Sequence, residues 1–181
     1  MRKLFLLIVP LLIAAGCNGG KDANKAGEQT YSVPSTDSGF VKVADSIIYA
    51  VTVKNPNPYD DWTDYCLRNL DLQKLIDMIL ADVYAGKLVP YTYTAMYPED
   101  EERIPVDSIK AWEEQIGKDK VARIEFDEQW FYDPETHQFI KKVNALTIGY
   151  ELYDAEGQVR GYRALFKVYL SGDKEQKQVS K

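Results

Sequence analysis

VARIEFDEQWFYDPETHQFIKKVNALTIGYELYDAEGQVRGYRALFKVYL, residues 121–170, is the stretch that decides the fold. It contains three strand-like runs, separated by DPETHQ and DAEGQ, and the Asp, Pro and Gly residues of these separators are typical of turns. In the last run Phe166 and Val168 alternate with Lys167 and Tyr169, as in a strand with one buried face. Short turns join antiparallel neighbours, so the sequence predicts an antiparallel β-meander with strands at 121–132, 139–152 and 159–170.

Amphipathic helices are predicted upstream of the meander. The clearest has apolar residues at helical spacing: Leu72, Leu75, Ile76, Ile79, Leu80 and Val83. We expect Asn69 or Asp71 to cap its start and Gly86 to supply the left-handed residue at its end. A shorter helix carries Ile109, Trp112 and Ile116, with Asp107 as its cap and its end at Gly117.

The segments around these helices complete one predicted domain, residues 39–172. One or two β segments are expected between Phe40 and Val53, a short strand over 88–98, and a solvated acidic loop over 99–102. Trp62, Tyr65 and Cys66 form either a helical turn of their own or an extension of the following helix. The predicted class is α+β: an antiparallel meander with two or three helices packed on one face, followed by a polar tail at 173–181.

The N-terminus has the layout of a bacterial lipoprotein signal. Residues 1–16 have a basic start, an apolar run and a small-residue ending, and the motif IAAGC places Cys17 directly after them. We expect Cys17 to be acylated and the polar residues 17–38 to form a tether, so that lipid holds the domain on the outer membrane, facing the periplasm. The alternative is an ordinary signal peptide that leaves Cys17 as a free thiol.

Charge and cysteine content narrow the classes of partner. The chain has a formal net charge of −6, and removal of Arg2 and Lys3 with the signal takes it to −8. This charge argues against nucleic acid and against a broad anionic lipid surface as partners. Acylation of Cys17 leaves Cys66 without a disulfide partner in the chain, so Cys66 is expected to be a small buried hydrophobe.

Few residues suggest catalysis or cofactor binding. Asp133, Glu135 and His137, spaced by two, contain the ligand types of a divalent-metal site, but Pro134 favours a solvent-facing turn. No serine lies in a nucleophile elbow, and no glycine-rich phosphate loop follows a predicted strand. A convergent carboxylate pair of the glycoside-hydrolase type stays open, since any two of the 28 acids can meet. We expect a protein without enzymatic activity, cofactor or metal.

Aromatic residues indicate contact surfaces. The chain contains 13 tyrosines, and residues of this type are enriched at protein interfaces and also pack at the edges of β-sheet cores. We select Tyr91, Tyr93, Trp130 and Tyr132 as candidate interface residues. An alternative is a lipid-anchored binding module for a sugar, peptide or lipid, with a pocket lined by Trp62, Trp112 or Trp130.

AGKLVPYTY, residues 85–93, and EFDEQWFYDPETHQFIKKVNALTIGY, residues 125–150, together resemble the GldN/PorN family of Bacteroidetes gliding-motility and type IX secretion proteins. The resemblance covers about residues 60–170. It rests on these positions: Gly86, Pro90, Tyr91, Trp130, Tyr132 and Asp133. It implies a non-enzymatic part of an envelope-spanning machine that contacts envelope proteins, either a ring-forming lipoprotein or further copies of itself. Family members are longer and are generally not lipidated, so the resemblance implies a diverged, lipid-anchored member.

Overall fold

The computed structural model describes residues 39–94 and 97–170. The predicted signal peptide at 1–16, the lipidation site Cys17 with its tether to residue 38, and the tail at 173–181 lie outside the described residues. Within them, no helix has the length and apolar character needed to cross a membrane. The elements in chain order are β1 (Val41–Thr52), α1 (Asp61–Leu67), α2 (Leu72–Tyr84), β2 (Pro90–Tyr91), α3 (Val106–Gln115), β3 (Val121–Tyr132), β4 (Phe139–Tyr153) and β5 (Val159–Tyr169).

The five strands form one antiparallel sheet in the order β1-β3-β4-β5-β2. The predicted meander of β3, β4 and β5 is confirmed, and both of its turns are built on an aspartate. In the first, the Asp133 side chain accepts hydrogen bonds from the amides of Glu135 and Thr136 at 2.9 and 3.3 Å. In the second, the Asp154 amide donates to the carbonyl of Gln158 at 2.9 Å. The turn chemistry read from the sequence therefore fixes the strand order locally.

Helices α2 and α3 cover one face of the sheet and enclose the core. On the strands, Ile124, Ile148 and Phe166 lie opposite one another, so their side chains share that face. The remaining buried members of the cluster are Val53, Ile76, Ile79, Leu80, Val83, Ile109, Trp112, Val121, Leu146 and Val168. The α+β class with helices on one face is thus confirmed.

The ends of α2 agree with the sequence prediction, and those of α3 differ from it. Asp71 caps α2 by accepting from the Lys74 amide at 3.0 Å, and Gly86 follows the helix with φ of 71°. The prediction that Asp107 caps α3 is wrong: the N-cap is Pro105, and Asp107 lies inside the first turn. The helix also ends at Gln115, before Gly117. Proline fixes the entry backbone of α3 without a side-chain cap.

Three predictions between residues 60 and 102 are wrong because the local pattern does not indicate which distant element packs over a segment. Cys66 is exposed, since it lies on α1, a separate helix without a buried residue. The expected strand over 88–98 is limited to β2, which pairs with β5 through only two residues. Glu101, expected in a solvated loop, is buried, and its carboxylate accepts from Lys167 Nζ at 2.9 Å.

Candidate interaction surface

Beyond the helices, β1, β3 and β4 continue as a three-stranded extension with an aromatic face. The part of this face that packs against the core reaches Phe126 and Val143. Residues two apart along β3 share a face, and cross-strand partners share it as well. Six side chains thereby lie on the uncovered part, which we call the distal surface: Tyr49, Glu128, Trp130, Tyr132, Phe139 and Lys141.

Glu128 is the polar centre of the distal surface. Glu128 is only 3 % exposed, and its carboxylate accepts hydrogen bonds from the Tyr49 hydroxyl and from Trp130 Nε1, each at 2.9 Å. Lys141 Nζ lies 3.3 Å from the same carboxylate. Burial acts to raise the pKa of Glu128, but the hydrogen bonds from Trp130, Tyr49 and Lys141 outweigh it, so its pKa is below the ordinary value. Glu128 is therefore ionised at neutral pH and holds three side chains in place.

Lys141 and Phe139 complete the outer layer. The Lys141 ammonium lies 5.2 Å from the centre of the Tyr49 ring and 4.9 Å from that of Trp130, within the range of cation–π attraction. Its hydrogen bond to the Tyr49 oxygen raises its pKa, against the effect of burial. Phe139 packs edge-to-face on Trp130 at 5.5 Å and is 51 % exposed. The rings are thus fixed by their neighbours while their outer surface faces solvent.

The β3–β4 turn closes the end of the distal surface. Tyr132 and His137 share a hydrogen bond of 2.9 Å between the phenol oxygen and Nδ1, and His137 has φ of 57°. Hydrogen bonds from Thr136 and Glu135 keep the pKa of Asp133 below its usual range. The Asp133 oxygens are therefore used within the turn, and the described ranges contain no group of three His, Cys, Asp or Glu side chains placed to hold a metal ion.

The structure separates the four candidate interface residues into two pairs. Trp130 and Tyr132 lie on the distal surface. Tyr91 opposes Lys167 on the other face of the sheet, where it is buried in edge contact with Tyr169 at 5.6 Å, so its selection as an interface residue is wrong. Tyr93 is half-buried on that second face, and its hydroxyl donates to Glu125 at 3.0 Å. Burial, together with that carboxylate, raises the pKa of Tyr93 to about 12.

The tryptophans occupy three different environments. Trp112 is buried in the core near Tyr150, Trp130 contacts Phe139, and Trp62 is exposed on α1. A cleft of about 200 Å³ lies beside β2 and β5. Its lining contains no tryptophan: Gly86, Lys87, Leu88, Val89, Tyr91, Tyr169 and Leu170. This cleft therefore does not support the ligand-binding alternative, which stays a prediction.

Sequence reasoning missed four residues of the distal surface: Tyr49, Glu128, Phe139 and Lys141. The alternation of Phe126, Glu128, Trp130 and Tyr132 was the available signal, because it places a carboxylate in an otherwise aromatic row. Compared with known proteins, the sequence matches no family model, and no curated protein shows significant similarity to it.

Proposed function

We propose that this chain is a non-enzymatic lipoprotein of the bacterial cell envelope that acts through protein contacts. In this proposal it is a GldN/PorN-like structural or accessory component of gliding-motility and type IX secretion machinery. The observation that carries the proposal is the distal surface, an aromatic face that is locked by hydrogen bonds and open to solvent.

The composition of the distal surface favours protein binding. Trp and Tyr dominate the binding energy of many protein interfaces, and rigid anchors lose little conformational entropy when a partner docks. Glu128 and Lys141 provide that rigidity here, because each contacts both Tyr49 and Trp130. A partner that covers Phe139 and Trp130 therefore buries large rings without having to order them first.

The placement in the envelope rests on the sequence. The IAAGC motif supports acylation of Cys17, and acyl chains contribute about 0.8 kcal/mol per buried CH₂ group to membrane binding. The polar residues up to 38 separate that anchor from β1. The proposed arrangement is a domain held at the periplasmic side of the outer membrane, with the resemblance to GldN/PorN as the reason for the named machinery.

The test is a mild-detergent purification of the tagged, full-length protein from its own envelope, with crosslinking and mass spectrometry of the retained proteins. Cys17→Ala removes the anchor, and Phe139→Ala alters the distal surface. Met78→Ala is the matched control, because Met78 is similarly exposed, at 59 %, on α2. We expect motility or secretion-ring proteins in the retained set, with less of them for the first two variants and no change for the control.

Two results would contradict this proposal. The first is recovery of the protein as a monomer with no retained envelope proteins. The second is an equal effect of Phe139→Ala and Met78→Ala, which would show that the distal surface is not the contact.

A further inference from the structure

Helix α1 turns its aromatic residues outward. Trp62 and Tyr65 on the helix are 70 % and 55 % exposed, and no residue of the helix is buried. Tyr59, just before the N-cap Asp60, is 91 % exposed. A helix on a soluble domain ordinarily directs its apolar stripe at the core, as α2 does. The stripe of α1 is therefore available for contact with another molecule.

A polar network fixes α1 in place of core packing. Asp60 caps the helix by accepting from the amides of Trp62 and Thr63 at 3.1 and 3.2 Å. The Asn55 side chain donates to the Asp60 carbonyl at 3.0 Å and to the Asp64 carboxylate at 2.9 Å. The exposed rings thus stand on a frame that is ordered before any partner binds, which reduces the entropy lost on binding.

The rings of α1 already form a surface that accepts a cation. Trp62 and Tyr65 stack with their centres 5.6 Å apart and their planes at 19°. The Arg68 guanidinium lies 3.8 Å from the centre of the Tyr65 ring, so a cation–π contact exists within the helix itself. Trp, the strongest cation–π acceptor among side chains, is the more exposed of the two stacked residues.

The charge around these rings is negative. From residue 58 to residue 71 the sequence has four aspartates and one arginine. Asp60 is held ionised because hydrogen bonds from Thr63, first from its hydroxyl and then from its amide, lower its pKa. Asp61 and Asp64 extend the acidic rim on the first turn of α1. Such a surface attracts positive charge and repels anionic lipid and nucleic acid.

We propose that Tyr59, Trp62 and Tyr65, with the carboxylates of Asp61 and Asp64, form a docking site for a basic segment of a partner protein. A lysine or arginine of that segment lies over the open face of Trp62, its charge is balanced by the acidic rim, and apolar neighbours cover Tyr59. This inference deepens the proposed function and rests on it for the existence of a partner, whose chemistry it now names. The site lies on α1 and is separate from the distal surface.

The test uses the purified full-length protein and two short fluorescent peptides. The peptides have leucines at identical positions and differ only at their charged positions, which are lysines in one peptide and glutamates in the other. Fluorescence anisotropy measures binding at low and at physiological salt. We expect the lysine peptide to bind more tightly than the glutamate peptide and to weaken as salt rises. In two separate experiments, phosphatidylcholine vesicles or a neutral oligosaccharide are added as competitors of the bound lysine peptide.

The variants separate the ring from the charge. Trp62→Ala should weaken the lysine peptide by about fivefold or more, and Asp61→Asn by about twofold. Trp62→Phe should retain part of the affinity because it keeps an aromatic face. Met78→Ala, at an exposed position of α2 outside both surfaces, is the control and should bind the peptide as the parent does. Far-UV circular dichroism verifies that each variant is folded.

Three outcomes overturn the inference: equal binding of the two peptides, unchanged binding by Trp62→Ala, or displacement of the peptide by vesicles or oligosaccharide. The last would identify α1 as a membrane or glycan contact. If ring proteins are crosslinked in the envelope and Phe139→Ala reduces them, but the lysine peptide does not bind, only this inference is lost. If the lysine peptide binds while the envelope yields a monomer, the proposed machinery is wrong and the acidic site on α1 stands.

Discussion

Replacement of Glu128 by glutamine should destabilise the distal surface in a pH-dependent way. The carboxylate accepts from Tyr49 on one oxygen and from Trp130 on the other, with Lys141 beside the second oxygen. A glutamine amide can place its oxygen toward Trp130 and its NH₂ group toward the Tyr49 hydroxyl, which then accepts instead of donating. The shape of the cluster therefore survives the substitution, and its charge does not.

The magnitude follows from the two buried hydrogen bonds. A bond to a charged acceptor contributes about 1.5–3 kcal/mol to stability, and a neutral one about 0.5–1.5 kcal/mol. Glu128→Gln replaces the charged acceptor of the hydrogen bonds with Tyr49 and Trp130 by a neutral group. This change should lower the free energy of unfolding by about 2 kcal/mol in total. The contact with the exposed Lys141 ammonium is not included in this figure.

The pH dependence has a definite sign. Because the pKa of Glu128 in the folded state is lower than its ordinary value of 4.5, its contribution is complete above that value and is lost as pH falls through the folded-state pKa. The difference between the parent and Glu128→Gln should therefore be largest near neutral pH and shrink as the pH falls below 4.5. Other carboxylates titrate in both proteins and cancel in this difference.

Urea unfolding followed by far-UV circular dichroism measures the free energy of unfolding of both proteins at neutral pH and in acid below pH 4.5. Glu156→Gln, in the exposed β4–β5 turn, is the control and should stay within about 0.5 kcal/mol of the parent. A Glu128→Gln protein as stable as the parent, or a deficit of the same size at both pH values, would refute the assignment of Glu128 as an ionised centre.

Three further predictions concern the rest of the domain. Lys167→Met leaves the buried Glu101 carboxylate without that ammonium group and should cost about 3–5 kcal/mol in urea unfolding, whereas Lys167→Met with Glu101→Leu, which removes both charges, should recover most of the loss. Trp112→Ala empties a core position and should cost about 3–5 kcal/mol, while Trp62→Ala should stay within about 1 kcal/mol of the parent in thermal melts because Trp62 is exposed. Gly117→Ala should cost about 1–2 kcal/mol by calorimetry, since Gly117 has φ of 90° and an added Cβ meets a neighbouring carboxylate oxygen.

Each of these has an opposite outcome that would count against the packing described. A double variant at residues 101 and 167 as unstable as Lys167→Met would show that charge pairing is not what matters there. Equal losses for the two tryptophan variants would mean that α1 is packed rather than exposed. An unchanged Gly117→Ala protein would place that residue in an ordinary backbone conformation.

Features set by neighbouring residues could be predicted from the sequence. The bounds of β3 agree with the prediction, and those of β4 and β5 differ from it by one residue at one end, because alternation and aspartate turns are local properties. The same holds for α2, where Asp71 and Gly86 act within one turn of the helix. The α+β class follows from these elements alone.

Which side chains meet was decided by the tertiary structure. Glu128 lies 79 residues from Tyr49, and Lys141 lies 92 residues from it, so their contact depends on the register of three strands. Irregularities between Ala44 and Ile47 and between Asp127 and Glu128 shift that register, and a shift by one residue moves a side chain to the other face. No local pattern contains this information.

The sequence by itself therefore determined the meander, helix α2 and the α+β class of this protein, and its N-terminal pattern is the basis of the proposed acylation of Cys17. Only the tertiary structure decided which faces are covered: it buried Tyr91 and Glu101 against β5 and left α1 exposed. The physical reason is that periodicity identifies an apolar or polar face from residues a few positions apart, whereas burial depends on which distant element packs over that face.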